Sequence, residues 1–465
     1  MKETKSHIQS PKSHIRFPIP NPRSNPLHPK SILVTGGAGF IGSNFIHYIF
    51  SKTKFKGRIT IEKLQYIKRS RDVGQEEGMP LQIAFVTSAD ARDRRSWSGS
   101  LYYMSKALER HCGQVHYLGP ADSAWFTYGK MVGRITSLFI RKLLGKRYDY
   151  SHSYRLSKAL GKFFSKKLKQ GEYDVVFAPT ASSEIAFLET PLPIVYLSDT
   201  TFANMLDYYS SFSNLTKMSI KQGHDVEGKA IRKSAIALYT SEWAARSAIQ
   251  DYRVDPSAVY VIPLGANIDV PPSFETVLSK KKTNRCRLLF IGVDWKRKGG
   301  DIALDAFLCL NKMGIDTELT ILGCAPPREV RHEKMKVIPF LNKNIPEQQR
   351  RFYDILFNSD FLLLPTRAEC VGIVFCEASA FGLPSITTDT GGVSSVVIDG
   401  KNGFLLPYKA RGEEYAKIIA EIFSNDEKYY SLVQSSRKMY DEKLNWDTWG
   451  LRVKRILHEK LRIKN

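Results

Sequence analysis

Short, unbroken apolar blocks alternate with longer stretches of helical periodicity over residues 81–440. Leu81-Gln-Ile-Ala-Phe-Val-Thr87, Val175-Val-Phe-Ala178, Ile194-Val-Tyr-Leu197, Arg287–Gly292 and Phe361-Leu-Leu-Leu-Pro365 lack the strict in-and-out alternation of a half-solvated strand. Such runs predict strands covered on both faces, the habit of parallel sheets flanked by helices. Between them, apolar residues recur every three or four positions. Leu101 to Arg110 predicts a helix with Tyr103, Ala107 and Leu108 facing its core. Ala303, Ala306, Phe307 and Leu310 predict another, stopped at Gly314. From Ile373 to Phe381 the pattern is again helical, and Gly382 with Pro384 ends it. Trp446 to Leu461 predicts a last helix with a basic end. Alternation of this kind predicts an α/β fold.

Two carboxylates stand at an informative place in that pattern. Glu369 follows the Phe361–Pro365 strand, and Glu377 lies about one turn into the next helix. Open α/β sheets bind ligands at the carboxyl ends of their strands, and the free amides at a helix start favour phosphate. One acid beside a phosphate and another a turn deeper can hold the hydroxyls of a sugar and a ribose. A capping glutamate and a surface glutamate would show the same spacing, so spacing alone leaves both readings open. Arg297 and Lys298 precede the Ala303–Leu310 helix, aiming two cations and a positive dipole end at one spot.

Other blocks join these residues in order: Tyr239-Thr-Ser-Glu-Trp243, Val261-Ile-Pro-Leu-Gly-Ala-Asn267, Leu289-Phe-Ile-Gly-Val-Asp-Trp295 with Arg297-Lys-Gly-Gly300, and Thr388-Asp-Thr-Gly-Gly392. With the paired glutamates, this set resembles retaining glycosyltransferases of family 4, which have the GT-B fold. The resemblance covers residues 81–460 and implies two Rossmann-like domains facing across a cleft. Residues 81–278 would form the acceptor side, 285–440 the nucleotide-sugar side, and 441–465 a helix crossing back to the first domain. By the same resemblance, Glu369 orients sugar hydroxyls and Glu377 holds the ribose. Lys298 and Arg297 take the leaving diphosphate, assisted by main chain at Val371, Gly372 and Ile373. Ile338 falls where the family seats the base, Gly391 and Gly392 admit the sugar closely, and Gly99 lies in the loop that meets donor phosphate. Asp199 takes a sugar hydroxyl or caps a helix; the histidine many members carry near it is missing. Arg297 and Lys298 are adjacent, whereas the family separates its Arg and Lys.

The implied reaction is transfer of a hexose from a UDP- or GDP-sugar to a glycan or lipid-linked acceptor, with retained configuration, in polysaccharide biosynthesis. No cofactor is expected beyond the nucleotide-sugar substrate. No Asp-x-Asp pair occurs, so no metal is expected on the diphosphate. A scaffold that binds nucleotide sugar without turning it over is the alternative of a different class.

Residues 31–68 carry a separate pattern. Ser31-Ile-Leu-Val-Thr35 predicts a strand, Gly36, Gly39 and Gly42 a glycine turn, and Arg58-Ile-Thr-Ile-Glu62 a second strand. Glycines there let backbone approach a pyrophosphate, and an acid about 20 residues on holds ribose hydroxyls, a place Glu62 fills. This piece resembles the start of a nucleotide-sugar 4,6-dehydratase of the extended short-chain dehydrogenase class. It is read as a vestigial βαβ fragment, because a polar linker at 69–80 interrupts it and a dinucleotide spans two such halves; an NAD-dependent nucleotide-sugar dehydratase or epimerase-like protein is the alternative activity this resemblance implies. Residues 1–30, rich in Ser, Pro, Lys and His, are expected to be a disordered tail.

Composition narrows the setting. The six cysteines are scattered without metal-type pairs, and no apolar run approaches the ~18 residues of a spanning helix, so a cytoplasmic protein is expected. The net charge is +23, and it is concentrated. Residues 1–80 hold 14 Lys and Arg against five acids, and residues 130–169 hold 12 against one. In the second segment Leu156, Leu160, Phe163, Phe164 and Leu168 recur among Lys158, Lys162, Lys166 and Lys169. The helix 155–169 is therefore a candidate contact with anionic membrane on its inner face, although a helix packed on its own sheet shows the same stripe. No nucleic-acid motif accompanies the charge.

Overall fold

The structure, a computed structural model, describes residues 31–34, 58–61, 80–121 and 124–461. The chain separates into two compact units, residues 1–78 and 79–464. In the first, β1 (Ser31–Val34) and β2 (Arg58–Ile61) pair in parallel, with Ser31 opposite Arg58. Gly36, Gly39, Gly42 and Glu62 lie outside the described residues, as do the 1–30 tail and the linker through residue 79.

The second unit holds two six-stranded sheets. The amino-terminal lobe is built on β3 (Leu81–Phe85), β4 (Gly113–Tyr117), β5 (Val175–Pro179), β6 (Ile194–Ser198), β7 (Ile236–Tyr239) and β8 (Val259–Val261). They run parallel in the order β4-β3-β5-β6-β7-β8. Every position of β5 and β6 is buried, which is why both read as unbroken apolar runs. Helices α1 (Ser100–His111), α2 (Ala124–Leu144), α3 (Tyr154–Leu168), α4 (Lys217–Lys233) and α5 (Glu242–Tyr252) accompany this sheet.

The carboxy-terminal lobe repeats the plan. Its strands are β9 (Cys286–Ile291), β10 (Thr317–Leu322), β11 (Met335–Ile338), β12 (Phe361–Leu364), β13 (Ser385–Thr388) and β14 (Gly403–Leu406). Their order is β11-β10-β9-β12-β13-β14, again parallel. Helices α6 (Gly300–Lys312), α7 (Pro346–Phe357), α8 (Ile373–Ala380), α9 (Gly412–Phe423) and α10 (Asp426–Glu442) complete it. The strand order reverses between β9 and β12, the topological switch where open α/β sheets bind ligands. Loops 292–299 and 365–372 leave the sheet at that switch.

Helix α11 (Trp446–Leu461) belongs to the other lobe's core. Trp449, Val453 and Leu457 are buried with Phe85, Leu101, Met104 and Phe177. Asn267, in the segment joining the lobes, accepts from the Trp446 indole at 3.0 Å and donates to the Ser98 carbonyl at 3.0 Å. The architecture is GT-B: two Rossmann-like lobes of parallel sheet around one cleft.

Helix α3 corrects the membrane expectation placed on residues 155–169. Leu156, Leu160, Phe164 and Leu168 are all buried, in one cluster with Val176, Ala178 and Ile185. The lysines face outward because the apolar stripe is already used against the sheet. Among the described residues, no helix is long and apolar enough to cross a membrane.

Candidate active site

Two helices of the carboxy-terminal lobe start at the cleft, each after a glycine in left-handed conformation. Gly299 (φ 76°) caps α6, and a Cβ there would lie 1.9 Å from the Pro365 carbonyl oxygen. Gly372 (φ 82°) caps α8, with a Cβ position 3.2 Å from Glu369 Cγ. Only glycine accepts both the positive φ and the close approach. The two loops are therefore pressed together.

Their charged side chains meet there. The Lys298 ammonium, its stem lying over Gly292, forms an ion pair with the Glu369 carboxylate. The Arg297 guanidinium is 3.6 Å from the same oxygen and donates to the Ala368 carbonyl at 2.9 Å. Two cations beside the amino end of α8 make a region suited to a polyanion. One turn further along α8, the Glu377 carboxylate is 3% exposed. It accepts a hydrogen bond from Lys343 Nζ at 2.5 Å. Burial raises the Glu377 pKa, and the Lys343 charge opposes that rise.

All of these groups border one interlobe cavity of about 630 Å³. That is room for a ligand of nucleotide-sugar size. From the amino-terminal lobe come Arg94, Trp97, Ser98 and Asp199. The Trp97 indole donates to Asp199 at 3.3 Å. Burial pushes the Asp199 pKa up to about 6, and the indole hydrogen bond works against it. Tyr208 fastens the two lobes: its hydroxyl accepts from the Glu369 N–H at 2.9 Å and lies 2.9 Å from Thr390 Oγ1. The Tyr209 hydroxyl is 3.1 Å from Cys370 Sγ. Across the cavity mouth, Arg94 pairs with Asp269 at 2.8 Å, and its main-chain N–H donates to Asn344 Oδ1 at 3.1 Å.

The structure gathers Glu369, Lys298, Arg297, Glu377, Val371, Gly372, Ile373 and Asp199 on the cavity wall. Gly99 caps α1, between the lining residues Ser98 and Ser100. Gly391 and Gly392 stand one layer back. A Cβ on Gly391 would be 2.1 Å from the Glu369 carbonyl, and one on Gly392 2.1 Å from that of Cys370. Their smallness supports the Glu369 loop rather than opening space for sugar. Ile338 keeps its side chain in the lobe's hydrophobic core, 2% exposed, and its carbonyl accepts from the N–H of Gly323, a cavity-lining residue, at 3.0 Å. Phe340 and Leu341, just beyond β11, line the cavity. Sequence reasoning missed Lys343, Arg94, Tyr208 and Tyr209. For Lys343 a signal was available, a cation in the loop after a strand at the ligand-binding edge; the tyrosines gave none. Among the described residues, no cluster of three His, Cys, Asp or Glu is arranged to hold a metal ion.

Acids and cations of a GT-B fold thus converge at the strand-order switch, the ligand-binding edge of an open α/β sheet. Residues 276–439 match the family described as Glycosyl transferases group 1, and residues 99–270 match Glycosyltransferase Family 4. The two matches together take in most of unit 79–464. An uncharacterized glycosyltransferase of Methanocaldococcus jannaschii is 28% identical over 179 residues, 37% of this chain and 47% of the relative. The lipopolysaccharide glucosyltransferase WaaG of Escherichia coli is 24% identical over 199 residues, 41% of this chain and 53% of the relative. The chain thus spans about half the length of the curated relatives it matches. Among solved structures, Anabaena Alr3699/HepE in complex with UDP-glucose superposes with TM-score 0.53 at 16% identity, covering 82% of this chain and 100% of that one.

Proposed function

We propose that the protein is a retaining hexosyltransferase that takes a hexose from a UDP- or GDP-sugar and passes it to a glycan or lipid-linked acceptor. The observation carrying this reading is the convergence of Glu369, Lys298, Arg297 and Glu377 on one interlobe cavity. In the donor complex the diphosphate takes the place of the Glu369 carboxylate at Lys298 and Arg297, which frees Glu369 for the sugar hydroxyls. Main-chain amides at Gly372 and Ile373 add to the same positive field. As the bond from the anomeric carbon to the diphosphate breaks, negative charge grows where these preorganised groups already point, and each such group lowers the barrier by about 3 kcal/mol. Glu377 exchanges part of its Lys343 contact for ribose hydroxyls. The base rests against Phe340 and Leu341, and Asp199 with Trp97 meets the hexose from the opposite lobe. Transfer proceeds without a metal, and the lobes move about the segment near Asn267 as donor enters and product leaves.

The likeness to Alr3699/HepE, solved with UDP-glucose, supports a nucleotide-sugar donor. The test is a thermal-shift panel of UDP- and GDP-sugars, followed by an assay of nucleoside diphosphate release in excess chelator. One donor should stabilise the protein by ~2.7 kcal/mol at 100 times its Kd, and it should release diphosphate with the chelator present. The product anomer, read by NMR, should keep the donor configuration. Stabilisation without release would identify a binding scaffold; no response to any sugar would remove the proposal.

A further inference from the structure

The loop between β11 and α7 faces two ways. Its turn is closed from within: the Asn344 N–H donates to Asn342 Oδ1 at 3.0 Å, and the Ile345 N–H donates to the Asn342 carbonyl at 3.0 Å. The Asn342 N–H in turn donates to Gln348 Oε1 at 2.7 Å. From this turn Lys343 reaches inward to Glu377, with its ammonium 4.9 Å from the Phe352 ring centre. Phe340 and Leu341 line the cavity beside it, so the loop walls the Glu377 end of the cleft. Asn344 is exposed and reaches the other lobe. Its Oδ1 accepts from the Arg94 N–H at 3.1 Å, and its Nδ2 donates to Asp93 Oδ1 at 2.8 Å.

An amide suits this position. Hydrogen bonds from Arg95, which also pairs with Asp93 at 2.8 Å, hold the Asp93 carboxyl well below the usual carboxylate range. Asp93 therefore calls for a donor, whereas the Arg94 N–H calls for an acceptor, and Asn344 supplies both. Arg94 adds a second tie, because its guanidinium donates to the Lys343 carbonyl at 3.4 Å and pairs with Asp269 at 2.8 Å. Asp269 lies in the segment joining the lobes and is also bound to α7. It accepts from Gln349 Nε2 at 2.9 Å, and its N–H donates to the Tyr353 hydroxyl at 3.0 Å. Parting of the lobes leaves the Asp269 bonds to α7 intact, but it must break those of Asn344, whose partners stand on the opposite lobe. Exposed polar contacts of this kind add little to folding. Their consequence falls on closure of the cleft.

We propose that Asn344 is a positioning residue that acts through Lys343: by bridging Asp93 and Arg94 it latches the 340–345 loop in the closed cleft and sets how long a nucleoside diphosphate stays there. The latch rests on the proposed nucleoside diphosphate site. While it is made, Lys343 is held beside Glu377 and the loop bars the exit; once Asn344 lets go, loop and lobe separate and the nucleotide departs.

The test is surface plasmon resonance of the full-length protein with UDP and with GDP as analytes. For the nucleotide that binds wild type, Asn344→Ala should speed dissociation about tenfold and leave the association rate within about twofold of wild type. Its unfolding midpoint in denaturant should be unchanged. Asn344→Asp, which sets a second carboxylate against Asp93, should speed dissociation at least as much. Asp93→Asn with Asn344→Asp exchanges donor and acceptor, and should bring the dissociation rate back to within about threefold of wild type. General loosening of the loop produces no such rescue. An unchanged dissociation rate in Asn344→Ala, with wild type binding, would overturn the latch and leave the nucleotide site standing. A double variant that dissociates as fast as Asn344→Asp would also overturn it. Wild type binding neither nucleotide would remove the site and the latch together.

Discussion

The two walls of the cleft are held in place by different forces. On the carboxy-terminal wall, charges sit on helix starts fixed by glycines: Lys298 and Arg297 before α6, Glu369 before α8 and Glu377 within it. On the amino-terminal wall, positions are set by hydrogen bonds of aromatic side chains: the Trp97 indole donates to Asp199, and the Tyr208 hydroxyl accepts from the Glu369 N–H. The first wall works by electric field, the second by shape and alignment. Removing a charge from the first should therefore affect rate or donor affinity strongly. Removing one hydroxyl from the second should cost about one hydrogen bond.

The largest effect is expected at Lys298. Lys298→Ala should lower kcat by about 10²–10³-fold, the loss typical of one preorganised charge-stabilising donor. A single-turnover rate within threefold of wild type would equalise the two walls and break the distinction. Next comes the buried pair. Lys343→Ala leaves the Glu377 carboxylate buried without its cation and should destabilise the protein by about 3 kcal/mol in denaturant unfolding. Lys343→Met with Glu377→Gln should recover much of that loss. If the double variant were no more stable than Lys343→Ala, the cost would belong to packing of the lysine stem.

A pH profile sharpens the contrast from the other side. The raised Asp199 pKa keeps that group neutral below about pH 6, where an unburied aspartate would be ionised. If the ionised form grips the hexose, kcat/KM should climb as pH passes upward through about 6. Asp199→Asn should remove that limb, and an unchanged limb would assign it elsewhere. The smallest effect is expected for Tyr208→Phe, about 1 kcal/mol from a lost hydrogen bond, read as a modest rise in donor KM. A hundredfold loss of kcat there would mean the hydroxyl touches the reacting groups.

The strands and the glutamate pair were legible because both depend on local pattern. A parallel strand buried on both faces must be apolar throughout, and Glu369 and Glu377 are placed by the strand and helix on either side of one loop. Lys343 was illegible as a partner for Glu377, because the pairing depends on how the 340–345 loop folds over α8. Tyr208 was illegible for the same reason, since it acts across lobes on a main-chain amide. Helices α2 and α3 make the point most sharply. Both are basic, both carry an apolar stripe of helical period, and only the position of each against the sheet decides that Leu160 is buried and Leu138 exposed. At Ile338 the strand puts the side chain into the core, and the first side chain beyond it to line the cavity is Phe340, two residues later.

The central claim is that the cations and acids of the carboxy-terminal wall form a nucleoside diphosphate site. It is tested most directly by calorimetric titration of UDP and of GDP into the wild-type protein and into Lys298→Ala. One of the two nucleotides should bind the wild type and bind the variant at least tenfold more weakly. Failure of both to bind at millimolar concentration, or equal affinity in the two proteins, would contradict the account.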